Sequence, residues 1–165
     1  MSTTDAPLPP SQRRAEAADL PALWELRTRA IRGGCAGHYP PDVIETWCAS
    51  APPEKIAALI AAGGVLVEEE DGRLLGYAIL DLDTGELDAA FVEPAQQGRG
   101  IARRLLGALD AMAQRHGLRR LFLSSSLNAV PAYERAGYVA LRRESYPHRS
   151  GIALESVFME KTLPC

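Results

Sequence analysis

A chain of 165 residues with 47% apolar and 24% charged side chains can bury a sizeable core in one domain. Its formal net charge of −3 argues against a nucleic-acid-binding surface, and Cys35, Cys48 and Cys165, an odd set without a CxxC pair, fit a reducing compartment better than a disulfide scaffold. No apolar run approaches the roughly 20 residues that cross a bilayer, so no membrane partner is expected. "MSTTDAPLPP" has neither the basic start nor the apolar centre of a signal peptide. Residues 1–10 therefore read as a disordered tail and residues 11–165 as a single domain, with the cytoplasm as the expected address.

In chain order, "SQRRAEAADL" has room for a short first strand before Asp19. Asp19 is a candidate cap for a helix whose apolar face is Leu20, Leu23, Trp24 and Ile31, interrupted by Arg27. "RGGCAGHYPPD" should break that helix. A second helix is expected from Asp42 with Val43, Ile44 and Trp47, and a third from Pro53 to Ala62, ended by Gly63. "GVLVEEEDGRLLGYAILDL" then holds two strand-like runs joined at Asp71-Gly72, a strong hairpin signal. A turn at Asp83-Thr84-Gly85 leads into "ELDAAFV", which completes an antiparallel meander. From Ile101 the period becomes helical, with Ile101, Leu105, Leu109, Met112 and Ala113 on one face and a stop at His116-Gly117. "RRLFLSSS" reads as a strand parallel to "ELDAAFV", since the two flank a helix. A short helix in "AVPAYERAG" and strands near Tyr138–Tyr146 and Ala153–Thr162 complete the pattern.

The start of the long helix is unusual. In "VEPAQQGRGIARRLL" no Ser, Thr, Asp or Asn lies between Pro94 and Ile101 to cap its first N–H groups. A glycine-rich approach to free N–H groups, with Arg99, Arg103 and Arg104 beside it, suits a phosphate. A plain tight turn is the other reading that these residues allow. Neither nucleotide fingerprint is present: Arg103 stands at the third glycine position of the dinucleotide pattern, and no Gly-Lys-Ser/Thr occurs.

"QGRGIA" matches the Q/R-x-x-G-x-G/A signature of the GCN5-related N-acetyltransferases, with Gln97, Gly100 and Ala102 on the fixed positions. "SLNAVPAYERAGY" resembles that family's second motif, with Ala132 in place of the usual aromatic before Tyr133. The resemblance is specific from about Val65 to Tyr138. It implies an α/β fold, a mixed and mostly antiparallel sheet flanked by helices on both faces. It also implies acetyl-CoA as cosubstrate, with the pyrophosphate on the N–H groups of Gly98, Arg99, Gly100, Ile101, Ala102 and Arg103. Phe91, Val92, Ser126, Asn128 and Tyr133 would complete the coenzyme contacts, Val92 holding the thioester oxygen through its backbone N–H. Asn128 is equally placed to cap the short helix.

Acetyl transfer to an amine needs a base, an oxyanion donor and a proton for the departing thiolate. Tyr133 is the candidate acid. Strand alternation puts Glu86, Asp88, Ala90 and Val92 on one face, and two carboxylates on an otherwise apolar strand suggest the base. Glu86 resembles the base position of some family members, and Asp88 is its rival. The expected reaction is direct attack by a primary amine of a small molecule or a peptide on acetyl-CoA. The alternative is a catalytically idle acyl-CoA-binding sensor. In this family the acceptor enters between the first helices and the last hairpin, which here offer His38, Tyr39, Trp47, Arg143, Tyr146, His148 and Arg149. "AIRGGCAGHYPPDVIETWC" resembles one bacterial subgroup of acetyltransferases. Cys35, His38 and Cys48 lack a fourth ligand for a metal site, so no metal is expected. Monomer and homodimer both remain open.

Overall fold

The computed structural model describes residues 11–148 and 150–164, apart from the side chain of Tyr146. The expected tail over residues 1–10 and the candidate Arg149 lie outside the described residues. Strand β1 (Gln12–Arg14) and a 3-10 turn precede helices α1 (Leu20–Cys35), α2 (Pro41–Cys48) and α3 (Glu54–Ala61). Strands β2 (Val65–Glu70), β3 (Arg73–Leu80) and β4 (Leu87–Val92) follow. Then come α4 (Ile101–Arg115), β5 (Arg120–Ser125), α5 (Val130–Arg135), β6 (Val139–Pro147) and β7 (Ala153–Thr162).

The strands form two antiparallel sheets, ordered β1-β2-β3-β4 and β5-β7-β6. The expected parallel pairing of β4 with β5 shrinks to a single bridge, Glu86 with Phe122. Beyond that bridge the strands belong to different sheets. Apolar residues from β2 to β5 and α4 make one core, with Leu66, Ala78, Leu105, Leu109 and Leu121 at its centre. On the opposite face of the first sheet, Leu23 and Leu26 of α1 and Ile56, Leu59 and Ile60 of α3 pack on Val65, Val67, Tyr77 and Ile79. This split follows from alternation along β2, where odd residues face α1 and even ones face α4.

The hairpin at Asp71-Gly72 forms as expected, with both residues at positive φ, 53° and 76°. Helix α4 closes with Gly117 at a φ of 84° and Leu118 N–H returning to the Ala113 carbonyl. Four local expectations change. Asp19 does not cap α1. Its carboxylate accepts Glu16 N–H at 2.6 Å and two bonds from Arg13, so it closes the preceding 3-10 turn instead. Helix α1 does not break at the glycines. A Cβ on Gly33 would stand 3.2 Å from Pro94, and one on Gly34 2.9 Å from Asn128, so these glycines let the helix end pack closely on two loops. Helix α2 starts at Pro41, with Asp42 in its first turn. Pro53 precedes the first residue of α3 instead of occupying it.

Gly85 sits at the junction of the sheets. Its φ is 86°, its carbonyl accepts Phe122 N–H at 3.1 Å, and a Cβ there would lie 2.5 Å from the Arg120 carbonyl oxygen. Gly85→Ala should therefore destabilise by more than about 2 kcal/mol, since backbone strain of about 1–2 kcal/mol is joined by a backbone clash. Gly72→Ala has a similar φ but open space around it, and should cost only the strain. Urea denaturation of the two variants side by side checks the difference.

Candidate active site

Gly100 stands in the cap position of α4 with a left-handed φ of 78°, and no side chain bonds the first N–H groups of the helix. Gly98, at 84°, makes the other left-handed step. Arg104 N–H is the first of the helix to find a carbonyl, that of Gly100 at 3.0 Å. Among the described residues, the N–H groups of 98–103 donate to no backbone carbonyl. Gln97 is exposed with extended backbone. Arg99 is held by Gln96 at 2.5 Å and by Glu70 at 2.7 Å. Arg103 is exposed and makes no ion pair among the described residues. Ile101 is buried under the helix and Ala102 half-buried, so both offer the loop only their backbone. The result is a row of free N–H groups with a cationic rim at the end of a 15-residue helix, which fits a pyrophosphate.

Beside this loop runs the open edge of β4. Glu93 N–H donates to the Leu75 carbonyl at 2.8 Å, which makes that pair the hydrogen-bonded one. By alternation Val92, opposite Gly76, turns its N–H and C=O away from β3, toward the gap between the sheets. Ala90, opposite Ala78, does the same.

The expected face of β4 is broken by a bulge. Ile79 pairs with Ala89 but Leu80 pairs with Leu87, so Asp88 is the extra residue. Ala90 and Val92 face the α4 core, where Leu87 also lies, whereas Ala89 and Phe91 face the α1 side. Without the bulge Glu86 and Asp88 would share the face of Ala90 and Val92, as alternation alone requires. With it, both carboxylates join Ala89 and Phe91 in the wall of a cavity of about 420 Å³.

That cavity gathers Glu86, Asp88, Phe91, Ser126, Tyr39, Trp47 and His148 from the expected site residues. It also has walls from Ser124 and from Trp24, Arg27, Lys55, Tyr77, Glu155 and Ser156, the last six of which the sequence did not point to as site residues. Arg27 was visible only as the polar break in an apolar helix face. It is buried, with its guanidinium 4.0 Å over the Trp24 ring and Nη2 donating to the Trp47 carbonyl at 2.9 Å. Lys55 pairs with Asp88 at 2.6 Å. Burial raises the Glu86 pKa, opposed by Lys55 and reinforced by Asp88. The Tyr39 hydroxyl donates to the Glu155 carbonyl at 2.5 Å and accepts Leu127 N–H at 3.1 Å, so it already has two partners. A larger hollow of about 750 Å³ between Leu20, Trp24 and Pro52 contains none of the residues expected at the site.

Other expected residues stand elsewhere. His38 is exposed in the turn after α1. Arg143 is exposed and pairs with Glu155. Tyr146 lies in β6, its backbone paired with Leu154. Asn128 does not cap α5, whose cap position is Ala129; its Oδ1 accepts from the Cys35 thiol at 3.3 Å. Tyr133 is buried, its ring edge-on to Tyr138 at 5.8 Å, and burial drives its pKa up. It does not contribute to the cavity wall. Among the described residues no three His, Cys, Asp or Glu side chains converge as a metal site.

The acetyltransferase (GNAT) domain model matches residues 35–163. The chain is 27% identical over 164 residues to a phosphinothricin N-acetyltransferase from Alcaligenes faecalis, covering 88% of this chain and 78% of that protein. A solved GCN5-related N-acetyltransferase from Rhodopseudomonas palustris superposes with a TM-score of 0.83 at 26% identity, over 93% of this chain and 96% of that one. The PaiA N-acetyltransferase from Thermoplasma acidophilum, solved with coenzyme A, superposes with a TM-score of 0.71 at 21% identity, over 92% and 97%. Fold and family match together define an acetyl-CoA-dependent acyltransferase. The chain belongs to the GCN5-related N-acetyltransferase family.

The raised pKa of Glu86 has a thermodynamic sign. The folded protein holds the Glu86 proton more tightly than the unfolded chain, whose reference value is 4.5. Stability from this group is full below that value and is lost as pH rises through the folded pKa. Glu86→Gln cannot ionise, so it should gain stability relative to the native chain as pH rises from about 4 to about 7. Paired urea titrations across that range check the sign.

Proposed function

We propose that this protein transfers the acetyl group of acetyl-CoA to the primary amine of a small molecule by direct attack. The reading is carried by one observation: Glu86 and Asp88 stand in the wall of an aromatic-lined cavity at the open edge of β4. A volume of about 420 Å³ suits a small acceptor. The relative named for phosphinothricin supports an acceptor of that size.

An alkyl ammonium, with a pKa near ~10, must lose a proton before it attacks. Glu86 is half-buried and its pKa is raised, so it is the better base; Asp88 is engaged by Lys55. As the C–N bond forms and the C–S bond breaks, the amine proton passes to Glu86 or through it to solvent. Val92 N–H at the strand edge is the donor for the carbonyl oxygen. Tyr133 stays protonated, and its phenol steadies the leaving thiolate. A thiolate with a pKa near ~8.5 cannot fully deprotonate a phenol held above ~10, so the help is a hydrogen bond more than a completed transfer.

A panel of amines and peptides assayed for free thiol tests the reading. Thiol release stimulated by a small amine is expected. Coenzyme binding with no response to any amine would instead favour the idle binding module. With the acceptor in hand, Glu86→Gln should lower kcat/KM most at neutral pH, with the deficit shrinking toward the pKa of the amine, and Asp88→Asn should cost less. The pH–rate profiles of both variants check the order. Tyr133→Phe keeps the ring and should leave acetyl-CoA affinity unchanged while lowering kcat about 10- to 100-fold, the value of a hydrogen bond to a charged group. Single-turnover rates measure it.

A further inference from the structure

Glu68 lies mid-strand in β2, where alternation sends it with Leu66 toward α4. It is 1% exposed in a layer otherwise built of apolar side chains. A lone carboxylate there would be strongly unfavourable. Arg104 meets it as a fork, Nε to Oε1 at 3.1 Å and Nη2 to Oε2 at 2.5 Å, and Gln12 adds a bond at 3.2 Å. The remaining nitrogen of Arg104, Nη1, donates to the Arg99 carbonyl at 2.8 Å. One guanidinium thus joins a buried strand to the glycine loop.

That last bond alters the helix start. In a continuous helix the Arg99 carbonyl would accept the N–H four residues on, that of Arg103. Here Arg104 takes the oxygen, and Arg103 N–H has no backbone acceptor among the described residues. The partial negative charge of the carbonyl, which would repel a phosphate, is offset by a cation. Gly100 is part of the same device, because a Cβ there would stand 3.2 Å from Arg104 Nη1. Glu68 is buried while the Arg104 side chain is 44% exposed, and an apolar residue at position 68 would need no partner at all, so stability alone gives little reason for the pair.

We propose that Glu68 and Arg104 are positioning residues for coenzyme binding: Arg104, anchored on buried Glu68, holds the Arg99 carbonyl out of the helix pattern and leaves the N–H groups of 98–103 open to the pyrophosphate. The proposal rests on reading that loop as the coenzyme cradle.

Coenzyme A is titrated calorimetrically into the native chain, Arg104→Lys, the double variant Glu68→Leu/Arg104→Met, and Gly100→Val. Each titration is run below the melting transition measured on the same sample. Arg104→Lys keeps a charge against Glu68 but replaces the rigid guanidinium, whose Nε and Nη2 reach Glu68 while Nη1 reaches the Arg99 carbonyl, with donors on one atom of a flexible stem, so the fixed two-point link is lost. Its Kd should rise about 10-fold, the loss of one charge-assisted hydrogen bond. The double variant should recover the melting temperature and remain at least about 10-fold weaker. A double variant that binds coenzyme A within about twofold of the native chain overturns the proposal. If it does not fold, the same result for Arg104→Lys does so. Gly100→Val separates the two levels. Unchanged affinity in that variant removes the cradle and the proposal with it. Affinity lost there but kept in the Arg104 variants leaves the cradle standing and rejects only the positioning role.

Discussion

At Glu86 and Phe122 the two sheets touch through a single parallel bridge, and from there β4 follows β3 while β5 follows β7. The parting leaves β4 with one unpaired edge. An edge strand presents N–H and C=O groups that need partners, and a fold normally hides or blunts such an edge. Here Ala90 and Val92 keep theirs toward the gap. Gly85 makes the parting possible, because only a residue without Cβ fits its backbone so close to Arg120. The glycine loop, the Val92 N–H and the carboxylates Glu86 and Asp88 all take their places from this strand or its two flanks.

The gap is also electrically polar. At its Val92 end lie the free N–H groups of α4 and the arginines of the loop. At its other end lie Glu86 and Asp88. A strand from Glu86 to Val92 spans roughly 20 Å, so the two ends act as separate sites at ordinary salt. In the proposed reaction an anionic phosphate would be drawn to the first and an ammonium to the second. On that reading the reactants would sort by charge before any specific contact forms, and an extended thioester arm between them would bring its carbonyl toward the strand edge.

Much of this was legible because it is local. Asp71-Gly72 needs two positive φ angles, and the glycines before Ile101 signal a helix start without a cap. What was hidden is non-local. The bulge at Asp88 leaves no mark in "ELDAAFV", since alternation in the sequence is regular, and the insertion exists only relative to β3. It puts Glu86 and Asp88 on the face opposite Val92, and with that fixes the side of the sheet on which the base candidates stand. Gly33 and Gly34 looked like breakers because their role is contact with Pro94 and Asn128, far along the chain. Lys55, Glu155 and Ser156 carried no motif, and only the approach of α3 and β7 brings them to the cavity.

Two carboxylates of the same sheet show how environment divides labour. Glu68 is the more deeply buried, yet it is bound by a fork of two hydrogen bonds and a third from Gln12. Such a group is held in place on every side, and what it offers is a fixed point. Glu86 is only half-buried, and no hydrogen bond from a side chain of the described residues neutralises it; Lys55 acts on it at a distance and pairs directly with Asp88. Desolvation without a dedicated partner raises its proton affinity while the cavity keeps it in reach of a ligand. In the proposed roles, placement in β2 makes one acid an anchor for the loop, and placement just before the bulge of β4 makes another the base.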